Sequence, residues 1–349
     1  MTKVRARGED VRRFILEHVE KHPRDVAKVA ATHFHITRQA VNKHLQRLVA
    51  EKALAEAGHT RNRSYKLCQL SEWTGRYKIG PGLAEDVVWR NDVVPALGQI
   101  PDNALGIWHY GFTEMFNNAL DHSDGSKIHI HVRKNPVKTE MTIYDDGVGI
   151  FKKIQTAMNL LDERHAILEL SKGKLTTDPR NHTGEGIFFT SRMFDSFDIL
   201  SGGVYYSHEF GKPGDWILER DRFKSGTAVW MGLNNHTSRT PRKIFDQYSS
   251  GDDYGFNKTV VPVKLAQYGT DKLISRSQAK RLLARVEQFK IVMFDFEGVD
   301  TIGQAFADEI FRVFAQKHPE IELLAIKANS AVRRMIARAR SGGSSQPEE

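Results

Sequence analysis

The chain has 349 residues, 40% of them hydrophobic, which is enough to build two or three globular domains. Its net charge of +8 favours a polyanionic partner, provided that the charge is concentrated in one region. No apolar run approaches the roughly 18 residues of a transmembrane helix, and the charged N-terminus lacks the apolar core of a signal peptide. The single cysteine, Cys68, excludes an internal disulfide and a cysteine-based zinc cluster. We therefore expect a cytoplasmic protein that is not attached to a membrane.

The first 70 residues show the apolar spacing of three short helices. Apolar residues recur at helical intervals over residues 9–21 and 25–34, and a turn follows. Thr37 is placed to cap a third helix. Residues 54–67 then have the pattern of a β-hairpin. The third helix should turn three apolar side chains inward: Val41, Leu45 and Leu48.

The opposite face of the third helix is polar and basic, and so is the tip of the hairpin. Side chains of these types reach phosphates and base edges from the major groove of DNA. Three helices followed by a basic hairpin resemble a winged helix-turn-helix domain, and the resemblance implies binding to double-stranded DNA. The alternative is a winged helix that contacts only protein. The residues assigned to DNA are Arg38, Gln39, Asn42, Lys43 and Arg47 on the helix, and Arg61 and Arg63 on the hairpin.

A connector is predicted next, over residues 71–103, after the N-terminal domain of residues 1–70. Gly80, Pro81 and Gly82 interrupt the chain, and an apolar helix follows them. A helix at this place is a natural hinge or a contact between two copies of the chain. Homodimerisation is therefore a further expectation.

Three short motifs follow within residues 104–234. Glu114 and Asn118 stand one turn apart on a predicted helix, so both side chains lie on one face. There a carboxylate can orient a water, and an amide oxygen can complete a Mg²⁺ shell. Asp145 ends a predicted strand and is followed by glycines. Gly184 and Gly186 open a further helix, whose free N–H groups and dipole favour phosphate.

These motifs, in this order, resemble the N, G1 and G2 boxes of the GHKL ATPases, and a Ser-Gly-Thr at residues 225–227 resembles their final box. The resemblance implies an α/β sandwich of the Bergerat type that binds ATP and Mg²⁺. It makes Glu114 the catalytic base, Asn118 the Mg²⁺ ligand and Asp145 the acceptor of the adenine amine, with Asp146 as the alternative acceptor. The other residues that it assigns to the nucleotide are Asp121, Gly147, Gly149, Thr183, Gly184, Glu185, Gly186 and Thr227.

The segment between the second and third motifs, residues 159–183, is rich in basic residues. In GHKL proteins the corresponding segment is a lid that closes over the phosphates. Lys172, Lys174, Arg180 and His182 could therefore neutralise the γ-phosphate. Equally, each could be a solvated loop charge.

After a polar linker at residues 235–253, strands and helices alternate over residues 254–340, and residues 341–349 are predicted to be a flexible tail. The segment around Thr301 resembles the STAS domains, in which a strand runs into a hydroxyl-bearing turn and a helix. Thr301 is therefore a candidate phosphoacceptor; alternatively, its hydroxyl caps the helix that follows. The predicted strands are 259–265, 290–296 and 321–326, and the predicted helices are 275–289, 303–318 and 330–339.

The expected fold class is α/β multidomain, with a winged helix-turn-helix, a GHKL sandwich and a STAS-like unit that contacts a protein partner or its own chain. We expect a DNA-binding regulator whose ATP-binding unit turns over Mg²⁺-ATP to control the other two units. Two alternatives stay open. The chain could be an anti-sigma-type Ser/Thr protein kinase that acts on its own or a partner's STAS-like domain. It could also be a non-enzymatic transcription factor that senses ATP.

Overall fold

The computed structural model describes residues 3–59, 62–176, 183–212, 216–219, 225–250, 253–267 and 272–341. The chain is an α/β protein of three units: a helical N-terminal unit, a sheet unit built on seven strands, and a C-terminal unit built on three strands. Within the described ranges, no helix combines the length and the apolar character needed to cross a membrane.

The N-terminal unit folds around its own apolar core, in which Ile15, Val41 and Leu45 are fully buried. The hydroxyl of Thr37 accepts a hydrogen bond of 3.2 Å from the backbone N–H of Ala40, which confirms the predicted cap. The three predicted helices and the hairpin are all present, although the first helix begins earlier than predicted. The elements are α1 (Lys3–His18), α2 (Val26–Phe34), α3 (Arg38–Ala50), β1 (Leu54–Ala57) and β2 (Ser64–Leu67).

The sheet unit contains seven strands, and every pair of neighbours is antiparallel. Alternate residues face the interior, as with Ile128, Ile130 and Val132, which are buried while their neighbours are not. The strands are β3 (Ser71–Lys78), β4 (Lys127–Lys134), β5 (Lys138–Asp145), β6 (Ser196–Ser201), β7 (Val204–Glu209), β8 (Trp216–Glu219) and β9 (Thr227–Asn234). Their spatial order is β3-β4-β5-β9-β6-β7-β8.

Helices pack on the interior face of this sheet. The longest, α6 (Asp102–His122), contributes the buried rings of Trp108, Phe112 and Phe116. A π-helical turn at Trp89–Val93 joins the first two of the other helices into one continuous segment. These are α4 (Glu85–Val88), α5 (Val94–Leu97), α7 (Ile150–Ala157), α8 (Glu163–Lys172), α9 (Gly186–Met193) and α10 (Pro241–Tyr248).

Residues 71–103, predicted to be a connector, are part of the sheet unit. Their first residues form the edge strand β3, which pairs with β4 along its whole length. The break at Pro81 is therefore a turn inside the unit rather than a domain boundary. Residues 235–253, the predicted linker, likewise contain α10, where the ring of Phe245 lies 4.7 Å from that of Phe189 on α9. Both segments carry apolar side chains that the sheet unit buries.

The C-terminal unit has three parallel strands in the order of the sequence, and each strand and helix predicted for it is present. Thr301 is exposed and precedes Gly303, which is the N-cap of the next helix, so the prediction that the Thr301 hydroxyl caps this helix is wrong. The elements are a small hairpin of β10 (Ser249–Ser250) and β11 (Asp253–Phe256), then β12 (Lys258–Pro262), α11 (Arg276–Leu283), β13 (Ile291–Asp295), α12 (Gln304–Asp308), α13 (Ala315–Lys317), β14 (Glu322–Ile326) and α14 (Ser330–Ser341). A π-helical turn joins α12 to α13, and short 3₁₀ turns follow β12 and α11.

The C-terminal unit shares one apolar core with the sheet unit, whereas the N-terminal unit has a separate core. The ring of Phe256 lies 4.6 Å from Phe188 of α9 and 5.2 Å from Phe289, which precedes β13. Aromatic contacts of this kind stabilise packing beyond the area that they bury. They join α9, the helix that begins in the third motif, directly to the C-terminal unit.

Candidate functional site

The sheet unit contains a cavity of ≈ 280 Å³ between the strands and helices α6, α7 and α9. Its floor is formed by β5, β6 and β9, and one wall is the chain around the end of α8. The cavity therefore brings together all three sequence motifs, which lie far apart along the chain. The lining residues include Glu114, Asn118, His122, Asp145, Lys153, Leu170, Leu175, Thr176, Thr183, Gly184, Gly186 and Thr227.

Glu114 and Asn118 project from α6 into this cavity, one helical turn apart as predicted. The carboxylate of Glu114 lies against the first residue of α9. A Cβ atom at Gly186 would stand 1.9 Å from the Oε2 atom of Glu114, so a larger residue there would displace this carboxylate. The first and third motifs are thus in direct contact, with the carboxylate beside the N-terminus of a helix.

Asp145 is 5% exposed at the end of β5 and lies on the cavity floor. Its Oδ1 atom accepts hydrogen bonds from the backbone N–H groups of Gly147, at 3.0 Å, and Thr227, at 3.3 Å. Burial raises the pKa of Asp145 to about 6, and these hydrogen bonds offset part of that effect. Because both bonds end on Oδ1, the second oxygen can accept a hydrogen bond from a ligand.

Asp146, the alternative acceptor, points to a different place. Its carboxylate accepts hydrogen bonds from the hydroxyl of Ser126, at 2.7 Å, and from the backbone N–H groups of Ser126 and Lys127, at 2.6 and 2.9 Å. The Ser126 hydroxyl and these N–H groups lower the pKa of Asp146 to about 2. The two adjacent acids therefore divide their roles: Asp145 faces the cavity, and Asp146 fixes the start of β4.

The second motif and the Ser-Gly-Thr turn interlock beside the cavity. The backbone N–H of Gly226 donates to the carbonyl of Gly147 at 2.7 Å, and the N–H of Ile150 donates to the hydroxyl of Thr227 at 3.0 Å. Gly149 has φ +98, a conformation that favours glycine, and it precedes the first turn of α7. Gly147 and Gly149 thus shape the cavity from behind its lining, while Thr227 lies in it.

Besides Gly147 and Gly149, two more of the predicted nucleotide residues, Asp121 and Glu185, lie outside the lining. Asp121 is exposed on α6, and the structure does not bring it to the cavity. Glu185 is the half-buried N-cap of α9. Burial, and then the negative charges of Glu114 and Glu185, raise the pKa of the Tyr110 phenol. Both glutamates therefore lie close to this phenol. The third motif therefore contributes Thr183, Gly184 and Gly186 to the lining and leaves Glu185 behind it.

Lys153 is a cavity residue that the sequence analysis missed. Its Nζ atom donates to the carbonyl of His122 and to Oδ2 of Asp124, both at 2.8 Å. Among the described residues that line the cavity, Lys153 is the only Lys or Arg. Its spacing from Ile150 and Ile154 on α7 is a helical signal that could have identified it, since all three face the cavity.

Lys172, predicted to be a phosphate ligand or a solvated charge, is neither, and Lys174 is half-buried and lies outside the cavity lining. The Nζ atom of Lys172 is fully buried and bonds Oε1 of Glu169 at 2.7 Å. Burial lowers the pKa of Lys172, and the charge of Glu169 opposes this shift. Lys174 donates to the carbonyl of Gln288 at 3.0 Å. Both ammonium groups are thus directed at the C-terminal unit. Arg180 and His182 lie outside the described residues.

The predicted DNA-binding side chains form an exposed face of α3. Arg38, Gln39, Asn42 and Lys43 are exposed there, on the side away from the core. Two other members of the set are held by acids: Arg47 bonds Glu51 at 2.8 Å, and on the hairpin Arg63 pairs with Glu56 at 3.0 Å. Such exposed pairs contribute little to stability. Arg61 lies outside the described residues.

Comparison with known proteins identifies one part of the chain. Residues 278–333 match the family model of a STAS-like domain of unknown function. The C-terminal unit therefore contains a STAS-like domain. A search of the curated proteins found no match to the chain.

The side chains present fit a magnesium-bound polyphosphate better than a metal held by protein alone. Within the described ranges, no three His, Cys, Asp or Glu side chains lie close enough together to hold a metal ion. In the cavity, Asn118 offers an amide oxygen, and Glu114 lies one turn away. A Mg²⁺ ion here would take most of its ligands from phosphates and water.

The raised pKa of Asp145 predicts that the unliganded protein loses stability as the pH rises. Because folding raises the pKa of this acid, stability falls as the pH rises from 3.8, the ordinary value, through about 6. The shift corresponds to about 3 kcal/mol at most. Asp145→Asn keeps the Oδ1 acceptor and removes the charge. We expect it to stabilise the protein at pH 8 and to have little effect at pH 4, as measured by urea denaturation.

The neighbouring substitution Asp146→Asn is the matched control. Hydrogen bonds lower the pKa of Asp146, so the same change of charge should destabilise the protein at neutral pH. Equal effects of Asp145→Asn at pH 4 and pH 8 would contradict the assignment of a buried, ionised carboxylate to Asp145.

Proposed function

We propose that this chain is an ATP-binding and DNA-binding regulator, in which the sheet unit binds and turns over Mg²⁺-ATP. The observation that carries this proposal is the meeting of Glu114, Asn118, Asp145 and Gly186 around one cavity. These residue types serve nucleotide chemistry in the order in which GHKL proteins use them. Their common position around this cavity supports the proposal.

The cavity offers a separate partner for each part of the nucleotide. Asp145 would accept the exocyclic amine of adenine between the apolar side chains of Ile143 and Val229. The phosphates would lie at the start of α9, where a helix N-terminus presents backbone N–H groups, and Lys153 would supply a positive charge from the same cavity lining. Asn118 would hold Mg²⁺, whose charge offsets that of the phosphates. Glu114 would orient a water and take its proton.

The N-terminal unit would bind duplex DNA through the exposed face of α3. A helix with four exposed polar or basic side chains on one side, next to a hairpin, suits a major groove. The carbonyl of Lys134 on β4 accepts from the N–H of Leu70, so the hairpin leads directly into the sheet unit. A change in the sheet unit therefore has a short path to the DNA-binding face.

Phosphotransfer to Thr301 of the same chain is less well supported than hydrolysis. The C-terminal unit contacts the cavity wall near the amino ends of its strands, where Thr259 of β12 bonds the carbonyl of Lys172 at 2.6 Å. Thr301 follows the carboxyl end of β13, so the length of this strand, about 16 Å, lies between them. Group transfer requires the reacting atoms to be about 3–3.5 Å apart.

Incubation of the purified protein with γ-labelled ATP tests the reaction. We expect the label to leave as inorganic phosphate, and Glu114→Ala to stop its release while ATP still binds. Label retained on the protein would favour the protein-kinase alternative, and mass spectrometry of wild type and Thr301→Ala would locate it. Label that remains in ATP would favour a non-enzymatic sensor.

The contribution of Lys153 can be separated from that of surface charge. Lys153→Met should weaken ATP about tenfold, because a charge-assisted hydrogen bond to phosphate contributes roughly 1.5–3 kcal/mol. Adenosine, which lacks phosphates, should bind both proteins equally in isothermal titration. The exposed neighbour Lys152 supplies the control, since Lys152→Met removes the same charge outside the cavity lining. An equal loss of affinity for ATP and for adenosine would contradict the assignment of Lys153 to the phosphates.

The affinity for DNA should fall as the salt concentration rises, and the steepness of this fall should reflect the number of phosphate contacts. Lys43→Ala should weaken binding to duplexes of any sequence and reduce the slope of log K against log salt by about one. Arg90→Ala is the control, because Arg90 pairs with Asp86 in the sheet unit at 2.8 Å. An unchanged slope in Lys43→Ala would place the DNA elsewhere on the protein.

A further inference from the structure

The end of α8 is tied to the C-terminal unit by an unusually dense set of polar contacts. Three consecutive residues, Lys172, Gly173 and Lys174, all take part. The backbone carbonyl of Lys172 accepts a hydrogen bond from the hydroxyl of Thr259, and the Nζ atom of Lys174 donates one to the carbonyl of Gln288. The ammonium of Lys174 also lies 4.9 Å from the centre of the Phe289 ring. We call residues 172–174 the tied segment.

Lys172 supplies the buried centre of this contact. Its ammonium has three N–H donors, and each finds an acceptor: Oε1 of Glu169 at 2.7 Å, the carbonyl of Arg281 at 3.1 Å and the carbonyl of Ala284 at 2.8 Å. The two carbonyls belong to the C-terminal end of α11, where the helix dipole favours a cation, and that of Arg281 also accepts from the N–H of Ala284 at 3.3 Å. A lysine of the sheet unit therefore caps a helix of the C-terminal unit.

Arg285 completes the contact from the other side. It lies just after α11 in the left-handed conformation, with φ +62, which turns its side chain back toward α8. Its Nη1 atom is 3.3 Å from Oε2 of Glu169. Its Nη2 atom donates to the carbonyls of Gly173, at 3.4 Å, and Lys174. The guanidinium thus holds the backbone of the tied segment directly.

The tied segment lies between residues that line the nucleotide cavity. Leu170 precedes it, and Leu175 and Thr176 follow it, and all three contribute to the lining. The N–H of Leu175 also donates to the carbonyl of Gly184 at 3.0 Å, which links the segment to the third motif. The backbone of Gly173 packs closely on the C-terminal unit, because a Cβ atom there would lie 2.5 Å from the ring of Phe256. The position of this cavity wall is therefore set from the C-terminal unit.

We infer that the STAS-like C-terminal unit is a built-in clamp that raises the nucleotide affinity of the sheet unit by holding the tied segment. This inference rests on the proposed nucleotide site. A wall that is already fixed loses little conformational freedom when a ligand binds, so affinity is higher than with a mobile wall. Coupling is reciprocal: a nucleotide that favours the held wall must tighten the contact with α11 by the same factor. Any partner that pulls the C-terminal unit from α8 would release nucleotide.

Arg285→Ala is the main test, because it removes the guanidinium and leaves the buried pair of Lys172 and Glu169 intact. Lys280→Ala is the matched control: it removes one cation from α11, five residues before Arg285, at an exposed position. Hydrogen exchange is first measured without nucleotide. We expect faster exchange over residues 163–176 in Arg285→Ala than in Lys280→Ala or wild type.

Nucleotide binding is then measured on the same three proteins. We expect Arg285→Ala to weaken ATP about fivefold or more, and ATP to slow exchange over residues 281–288 in wild type but not in this variant. Lys174→Ala, which removes a half-exposed contact, should give smaller changes of the same sign and keeps the test valid if Arg285→Ala does not fold. Equal ATP affinity in the folded Arg285→Ala and Lys280→Ala proteins would overturn the clamp.

The outcomes separate this inference from the proposed function. If wild type binds no nucleotide, the proposed function fails, and the exchange rates without nucleotide still show whether Arg285 holds the wall. If wild type binds ATP and ATP leaves exchange over residues 281–288 unchanged, the nucleotide site stands and the clamp is overturned.

Discussion

The structure depends on one buried cation. An ammonium group can remain in a protein interior only when each of its N–H donors is met and its charge is balanced. For Lys172 these conditions require Glu169 on its own helix and two carbonyls at the end of α11. Neither α8 nor α11 can shift without leaving a polar group unsatisfied. The relative placement of the sheet unit and the C-terminal unit, and with it one wall of the cavity, follows from that requirement.

In the candidate site, two adjacent acidic residues have different pKa values because their surroundings differ. Asp145 and Asp146 are adjacent, yet burial raises the pKa of the first to about 6, and hydrogen bonds lower that of the second to about 2. A strand places successive side chains on opposite faces, so one acid enters the cavity and the other binds the neighbouring loop. Glu114 is fixed differently, by the close approach of Gly186. Its carboxylate lies beside the N-terminus of α9.

Local pattern was sufficient to predict the helices and hairpin of the N-terminal unit, the elements of the C-terminal unit and the grouping of the three short motifs. Helical periodicity identified Val41 and Leu45, and the cap at Thr37 needed only its neighbours. What could not be predicted depended on residues distant in sequence. The edge strand β3 was hidden because its pairing partner lies beyond a long helix and a turn-rich break. Lys172 looked like a loop charge because its acceptors lie over a hundred residues away.

The junction between the hairpin and the sheet has a mechanical consequence. The N–H of Cys68 bonds the carbonyl of Ala53 within the N-terminal unit, and the N–H of Leu70 bonds the carbonyl of Lys134 in the sheet. Gln69 alone separates the two anchors, so the N-terminal unit has almost no free chain about which to rotate relative to the sheet. If two copies bound DNA through the proposed face of α3, the distance between the two faces would therefore be set by how the sheet units assemble. Half a helical turn of DNA inserted between the two half-sites would then turn one half-site away from its α3.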